Sequence, residues 1–201
     1  MKMSCRMHRL VMMIAPLIYG LGLVSCESRE AQTGEVNEIV STSGKIGKLI
    51  ITSPAFEHGG NYPVEFTCDG AGVSPPVKWE GAPAQTKFFA LQLWHIPKNG
   101  GTKSYWVVYH IPADVTSLPK NAKGIGKDGY NGKKQAGYDP MCSKGLGVKE
   151  YHVTVYALSA EPKFASDKVN RADLLAAFKD ITVAQGTLSF KYERPAGKTG
   201  K

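Results

Sequence analysis

Hydrophobic and polar positions divide the chain into regions of different character. An uncharged apolar run at residues 10–24 precedes a polar stretch, and from residue 49 onward short apolar runs alternate with loops rich in Gly and Pro. The runs at 49–52, 88–94 and 105–111 are rich in β-branched and aromatic residues, so they predict strands. The 88–94 run is the candidate for a central strand of a sheet.

A fourth strand is predicted at residues 150–158, where apolar positions recur with a period of two. One face would carry Tyr151, Val153, Val155 and Ala157, and the other His152, Thr154, Tyr156 and Leu158. Long loops at 57–87 and 119–149 connect the predicted strands. Loops of this length on a β scaffold often carry function.

One helix is predicted at residues 170–180. Asn170 is a suitable N-cap, Asp173 lies in the first turn, and the apolar stripe consists of Leu174, Leu175 and Phe178. Residues 181–192 fit either a second helix or a strand, and the pattern leaves both open. The order of elements predicts a mainly β fold, an antiparallel two-sheet β-sandwich with a short C-terminal helix or helices.

The N-terminus has the layout of a targeting segment. Three basic residues precede the apolar run, which is too short to span a bilayer about 30 Å thick. Leu23-Val24-Ser25-Cys26 resembles the lipobox of bacterial lipoproteins. We therefore expect cleavage before Cys26 and a lipid anchor on its thiol, with an ordinary secretory signal as the alternative. A lipidated chain would be exported and attached to a membrane, on the periplasmic face of the outer membrane if the host has two membranes.

This interpretation divides the chain into four parts. They are a signal peptide at 1–25, the lipidated Cys26 with a flexible tether at 26–48, a folded domain at 49–195 and a tail at 196–201. The tether is assigned because residues 27–48 are rich in Ser, Thr, Glu and Gly and have no sustained apolar period.

Composition and charge narrow the function classes. The 201 residues are 42% hydrophobic with 22 Gly, 12 Pro and 4 Cys, which excludes a disordered, collagen-like or disulfide-scaffold chain. The net charge of +8 includes a cluster of lysines at 120–149, which is either a solvated surface or an electropositive rim that attracts anions. Nucleic acid is not an expected partner, because few aromatic residues are interleaved with these lysines and because the protein is exported.

No motif for catalysis, cofactor binding or metal binding stands out. The Walker and Rossmann glycine patterns, H-E-x-x-H, C-x-x-C and G-x-S-x-G are absent, and the five His have no metal-ligand spacing. We therefore expect no enzymatic activity, no cofactor and no metal. Cys68 and Cys142 remain once the N-terminal cysteines are set aside. In an exported protein they predict a disulfide, with two separate buried thiols as the alternative.

Six sequence blocks between about residues 49 and 192 follow one another in a specific order. They are Ser53-Pro54-Ala55-Phe56, then Phe66-Thr67-Cys68-Asp69-Gly70, then Ser74-Pro75-Pro76-Val77-Lys78-Trp79, then Trp106-Val107-Val108-Tyr109-His110-Ile111-Pro112-Ala113-Asp114, then Gly137-Tyr138 with Cys142, Gly145, Gly147 and Tyr151, and finally Val155-Tyr156-Ala157-Leu158. Together these blocks resemble the phosphatidylethanolamine-binding protein family, in its bacterial branch of Raf-kinase-inhibitor-like proteins. Each block alone is a weak signal.

The resemblance implies a small anion pocket at one end of the sandwich that accepts phosphoryl groups. In the family its walls come from a D-P-D-A-P segment, a His before W-V-V and the Tyr of H-R-Y. This chain departs from the family at those points: His95-Ile96-Pro97-Lys98-Asn99 replaces the first segment, Tyr105 replaces the His, and Lys149-Glu150-Tyr151 keeps only the Tyr. The pocket is then either open with a new specificity or filled by Tyr105.

The pocket candidates share a position in these blocks or beside them, and are Asp69, His95, Tyr105, Lys149 and Tyr151. Lys149 would supply the counter-charge for an anion, while Tyr105 and Tyr151 would donate hydrogen bonds. Asp69 is also a common turn former, and it would lie near the rim if its neighbour Cys68 is bonded to Cys142.

The function expected from the resemblance is binding of a small anionic ligand that bears a phosphate or a carboxylate. The alternative is a protein-interaction or inhibitor module with a vestigial pocket, which would dock on an unidentified protein. A hydrolase using His95 with Tyr105 or Asp69 would need a nucleophile that the sequence does not identify.

Overall fold

The computed structural model describes residues 46–143, 147–195 and 197. The expected signal peptide, Cys26, and most of the expected tether and tail lie outside the described residues. Within the described part of the chain, no helix is long and apolar enough to cross a membrane.

The described residues form nine strands, one α-helix and one 3₁₀-helix. The strands are β1 (Gly47–Lys48), β2 (Ile50–Thr52), β3 (Val77–Glu80), β4 (Phe88–His95), β5 (Lys103–Pro112), β6 (Ser117–Leu118), β7 (Lys127–Asp128), β8 (Lys149–Leu158) and β9 (Thr182–Tyr192). The 3₁₀-helix spans Val64–Phe66, and the α-helix, α1, spans Arg171–Phe178. The four predicted strands are confirmed as β2, β4, β5 and β8, and the segment left open is the strand β9.

The strands are arranged in two sheets. Six of them form one sheet in the order β1-β9-β8-β4-β5-β7, and the other three form a second sheet in the order β2-β3-β6. The neighbouring strands pair antiparallel, except that β1 runs parallel to β9. The predicted sandwich is confirmed, and β4 has the interior position expected of it. Since β9 follows α1, the helix precedes the last strand.

The two faces of the large sheet are buried against different partners. Val153 and Val155 of β8 join Trp79 of the small sheet in the core between the sheets. On the opposite face, Tyr156 packs in a second cluster with Phe178 of α1. The alternation predicted for β8 is confirmed, and both of its faces are covered because α1 lies over the side that the small sheet leaves open.

The helix begins at the predicted N-cap. The Asn170 side chain accepts hydrogen bonds from the backbone N–H groups of Ala172 and Asp173, and the Asp173 carboxylate accepts one from the Asn170 N–H. This reciprocal arrangement satisfies N–H groups that have no partner within the helix. It therefore fixes where α1 starts.

The chain passes from one sheet to the other at Leu49. Its N–H donates to the Gln185 carbonyl over 2.9 Å, directly after β1 pairs with β9 and before β2 enters the small sheet. A Cβ at Gly186 would lie 2.2 Å from the Leu49 carbonyl oxygen, so only glycine permits this crossing. The strand β1 at Gly47–Lys48, within the stretch expected to be a tether, thus pairs with β9 in the large sheet.

Three strand ends meet at one end of the large sheet. Because β4 runs antiparallel to β5 and to β8, its end lies beside the beginnings of those strands: His95 pairs with Lys103, and Trp94 pairs with His152. The connection between β7 and β8 is held against this end by two backbone hydrogen bonds of 2.7 Å, from Gly132 N–H to the Ser104 carbonyl and from Asp139 N–H to the Tyr105 carbonyl.

A disulfide also holds the connection between β7 and β8 in place. Cys68 and Cys142 are bonded, with their Cα atoms 5.3 Å apart, and the Cys68 N–H donates to the Met141 carbonyl over 3.2 Å. The segment 141–143 is therefore attached to the loop that follows the 3₁₀-helix. Of the two alternatives for the cysteines, the structure contains the bonded one.

Candidate functional site

A cavity of about 400 Å³ lies where these strand ends and the β7–β8 connection meet. Four of the five predicted site residues line it, namely His95, Tyr105, Lys149 and Tyr151. Tyr105 forms part of the wall and does not fill the space. Of the two alternatives for the pocket, the structure shows the open one.

Positive charge exceeds negative charge around the cavity. Among its described lining residues, Lys103, Lys133 and Lys149 face a single carboxylate, Asp139, which accepts a hydrogen bond of 2.8 Å from the Lys133 ammonium. Partial burial, with the charges of Lys103 and Lys98 adding to it, lowers the pKa of Lys149, and Glu193 partly offsets this. The Lys149 ammonium donates to the Ser143 hydroxyl. An anion in the cavity would reduce the repulsion among these cations.

His95 is held in one tautomer by the backbone. Its side chain is buried, with the residue only 6% exposed, and Nδ1 lies 2.7 Å from the Glu150 carbonyl oxygen. A carbonyl can only accept, so Nδ1 carries the proton and Nε2 of the neutral ring is an acceptor. Burial lowers the pKa of His95, and the charges of Lys103 and Lys149 lower it further. His95 is therefore neutral near pH 7, and its Nε2 becomes a donor only when the ring is protonated.

Tyr105 and Tyr151 bring two hydroxyls to the cavity. Their rings meet edge to face with centroids 5.6 Å apart. Burial raises the pKa of both, so the hydroxyls stay protonated and keep their capacity to donate at physiological pH. The ring of Tyr151 also stacks on Phe190 at 5.8 Å, which joins this wall of the cavity to the core between the sheets.

Asp69, the fifth predicted site residue, does not line the cavity. Its carboxylate accepts hydrogen bonds from Arg194, at 2.8 Å from Nε and 2.7 Å from Nη2, and from the Tyr192 hydroxyl at 3.0 Å. Arg194 in turn donates over 3.5 Å to the carbonyl of Ser143, whose side chain lines the cavity. Asp69 thus contacts the cavity wall through Arg194, and direct contact with a ligand remains a prediction for the other four residues.

The sequence-based reasoning did not single out Lys103, Lys133, Asp139 or Ser143. Lys103 could have been found from strand pairing, because the β4–β5 register places it opposite His95. Lys133 belongs to the lysine cluster at 120–149, but not every member of that cluster lines the cavity: Lys120 pairs with Glu65 at 2.9 Å, and neither of these two residues lines it. Asp139 and Ser143 belong to no block of the resemblance, so no local signal marked them.

Comparison with known proteins identifies the family. The family model described as phosphatidylethanolamine-binding protein matches residues 52–193, which is most of the chain. The chain belongs to this family. A UPF0098 protein of Aquifex aeolicus is 32% identical over 164 residues, covering 78% of this chain and 94% of the relative. The family assignment confirms the resemblance seen in the sequence blocks.

A solved family structure has the same fold. The crystal structure of a putative phosphatidylethanolamine-binding protein homolog from Chlamydia trachomatis superposes with a TM-score of 0.69 at 27% identity, covering 74% of this chain and 99% of that one. The putative lipoprotein LppC of Mycobacterium tuberculosis is 32% identical over 112 residues, which is 55% of each chain. One relative of the chain is thus named as a putative lipoprotein.

Proposed function

We propose that this family member is an exported, membrane-tethered protein that binds a small anion bearing a phosphate or a carboxylate in the cavity. The observation that carries the proposal is the surplus of cations around an open cavity, three lysines against one aspartate among the described lining residues. Lys149 supplies a counter-charge, and the tyrosine hydroxyls donate hydrogen bonds. The proposal involves no catalytic step and no cofactor.

The open cavity also bears on the alternative, a module that docks on another protein. That alternative was tied to a closed, vestigial pocket together with an exposed apolar patch on the long loops. Val148 in the 119–149 loop is exposed, but the cavity next to it has room for a ligand. Ligand binding therefore accounts for more of the observed features than protein docking does.

The anion-binding proposal is tested by isothermal titration of the chain with phosphate, phosphoethanolamine and acetate. We expect Lys149→Ala to weaken binding of the preferred anion by about tenfold, because a charge-assisted contact in a half-buried site is lost. Lys78→Ala is the matched control, since Lys78 is an exposed lysine on β3 that does not line the cavity. Equal affinities in wild type and Lys149→Ala would remove Lys149 from this role. The proposal itself fails if neither these three compounds nor larger phosphates and carboxylates bind.

Membrane tethering through Cys26 is supported by the lipobox-like Leu23-Val24-Ser25-Cys26 and by the relative named as a putative lipoprotein. Its test is metabolic labelling with a radioactive fatty acid in a bacterial host. We expect label in the wild-type chain, loss of label in Cys26→Ala, and retention in Cys5→Ala. If neither the wild type nor Cys5→Ala carries label, and the wild type is released in soluble form, the segment is an ordinary secretory signal.

A further inference from the structure

We propose that the natural ligand carries its anionic group on a compact aromatic ring, so that inorganic anions and short-chain anions are poor ligands. The inference rests on the proposed function, because the lysines that hold the anionic group are the same. It concerns the rest of the cavity, which an anionic group alone leaves unfilled.

The first argument is size. The cavity measures about 400 Å³. At roughly 30 Å³ per non-hydrogen atom, the share of one water in the liquid, a phosphate ion takes at most about 150 Å³. More than half of the cavity would then hold water or nothing. A phosphate or carboxylate joined to a six-membered ring takes about 270–330 Å³ by the same allowance, which fits the space.

The second argument is the chemistry of the walls. Beside the charged groups, the lining includes the rings of Pro97, Pro140 and Tyr105 and the disulfide at Cys142. These groups offer apolar surface to a ligand and no partner for additional charge. Sites for small molecules commonly combine such walls with a few polar groups that set the orientation. A ligand that is anionic throughout would leave this surface in contact with charge.

The third argument is rigidity. Tyr105 is fixed edge to face against Tyr151, the β7–β8 connection is bonded to the Tyr105 carbonyl through the Asp139 N–H at 2.7 Å, and Cys142 is held by the disulfide. Proline rings have no side-chain rotamers to lose. Preformed flat walls favour a rigid flat ligand, because a flexible chain gives up more conformational entropy on entering the same space.

The test compares four phosphate compounds by isothermal titration with the full chain in detergent at pH 8, where all four are largely dianions. The compounds are inorganic phosphate, methyl phosphate, phenyl phosphate and n-hexyl phosphate, the last two matched in size. We expect phenyl phosphate to bind at least about tenfold more tightly than methyl phosphate and more tightly than n-hexyl phosphate. Benzoate against acetate repeats the comparison for carboxylates and shows which anionic group is preferred.

Two variants of the cavity wall test whether the preference for phenyl phosphate depends on its apolar residues. Pro97→Ser and Pro140→Ser each remove one apolar face, and we expect each to reduce the affinity for phenyl phosphate by about threefold or more while leaving methyl phosphate unchanged. Pro119→Ser, at an exposed proline that does not line the cavity, is the control. A variant that merely disturbs the fold would weaken all the compounds alike, so the ratio between compounds separates a wall effect from a folding defect.

The outcomes separate this inference from the proposed function. Equal affinities for methyl, phenyl and n-hexyl phosphate, all weakened by Lys149→Ala, overturn the aromatic ligand and leave the anion site in place. Equal affinities for phenyl and n-hexyl phosphate, both above methyl phosphate, overturn the preference for a flat ring. Failure of all the phosphates and carboxylates to bind overturns the proposed function and this inference together.

Discussion

Two groups of charged side chains contact the 141–143 segment, and they differ in charge balance. The first group, the clamp, consists of Asp69, Arg194 and Tyr192. Among the described residues, its acid and its base pair with each other, and the Asp69 and Arg194 side chains are 5% and 6% exposed. The second group, the cavity group, consists of Lys103, Lys133, Lys149 and Asp139. There the Lys133 side chain is 61% exposed and that of its partner Asp139 is 12% exposed, and the cations outnumber the acid among the described lining residues.

This difference in charge balance distinguishes charges that stabilise the fold, in the clamp, from charges that are available to a ligand, in the cavity. In a buried ion pair with bidentate geometry, each charge is compensated by the other. Removing one member therefore leaves an uncompensated charge in a poorly solvated environment. An exposed surplus of like charge is solvated and contributes little to stability, but it attracts a counter-ion. Changes to the clamp or to the disulfide beside it should therefore alter stability, and changes to the cavity charges should alter affinity.

The largest effect on stability is expected from removal of the disulfide next to the clamp. Cys68 and Cys142 are separated by 74 positions, and closing a loop of that length stabilises a fold by about 4 kcal/mol in the chain-entropy model. The double variant Cys68→Ser, Cys142→Ser should lose about that much free energy of unfolding in urea. Because Cys142 lines the cavity, anion affinity should fall as well.

Reduced wild type is the matched control for that variant, since it lacks the bond but keeps the cysteine side chains. Both proteins should unfold at the same lowered urea concentration. A loss below about 1 kcal/mol in both would mean that backbone bonds such as Cys68 N–H to the Met141 carbonyl hold the segment without the disulfide.

The clamp itself gives the next effect. Asp69→Asn keeps the size of the side chain but removes the charge that Arg194 requires, so we expect the melting temperature to fall by at least about 5 °C. Asp139→Asn is the paired variant in the cavity. It should shift the melting temperature by less than about 2 °C and raise phosphate affinity about twofold, because it removes the acid that competes with an anion. Equal thermal effects in the two variants would contradict the distinction between the groups.

The sequence predicts the long strands well because their patterns are local. The two-residue period of β8 and the N-cap Asn170 can be recognised without any partner in view. The strands β1, β6 and β7 contain two residues each, too few to form a pattern, and they exist through pairing with other strands. The pattern of residues 181–192 fits both a helix and a strand, and its Gly186 is unfavourable in either by propensity. Only the close approach of Leu49 explains that residue.

The site is predicted where the resemblance marks a position, and less well where distant residues meet. His95, Tyr105, Lys149 and Tyr151 were found because they occupy the positions of the segments that form the pocket walls in the family. Asp69 was placed near the rim through the bond between its neighbour Cys68 and Cys142, and its motif gave no sign of Arg194, which lies 125 positions along the chain. The local sequence around a carboxylate does not show whether the carboxylate faces a ligand or an arginine. Only the tertiary structure distinguishes these two roles.

The last expected effect is the dependence of anion affinity on pH, which isolates His95 within the cavity group. Burial and the charges of Lys103 and Lys149 lower the pKa of His95 below 6.5, so the cavity holds a neutral ring near pH 7. As pH falls, the unfolded chain takes up this proton first. The empty protein therefore loses stability from about pH 6.5 down to the pKa of the folded state, and then the loss levels off.

A bound anion reverses that tendency, because it stabilises the protonated ring and turns Nε2 into a donor. Affinity for sulfate, whose charge stays constant, should rise about threefold between pH 7.5 and pH 5. His95→Asn keeps a donor for the Glu150 carbonyl but cannot titrate, so its affinity should stay level. His152→Gln is the control, since burial lowers the pKa of His152 too although it does not line the cavity. Should the rise survive in His95→Asn and vanish in His152→Gln, the proton would be taken up outside the cavity, and His95 would serve only as a fixed part of its wall.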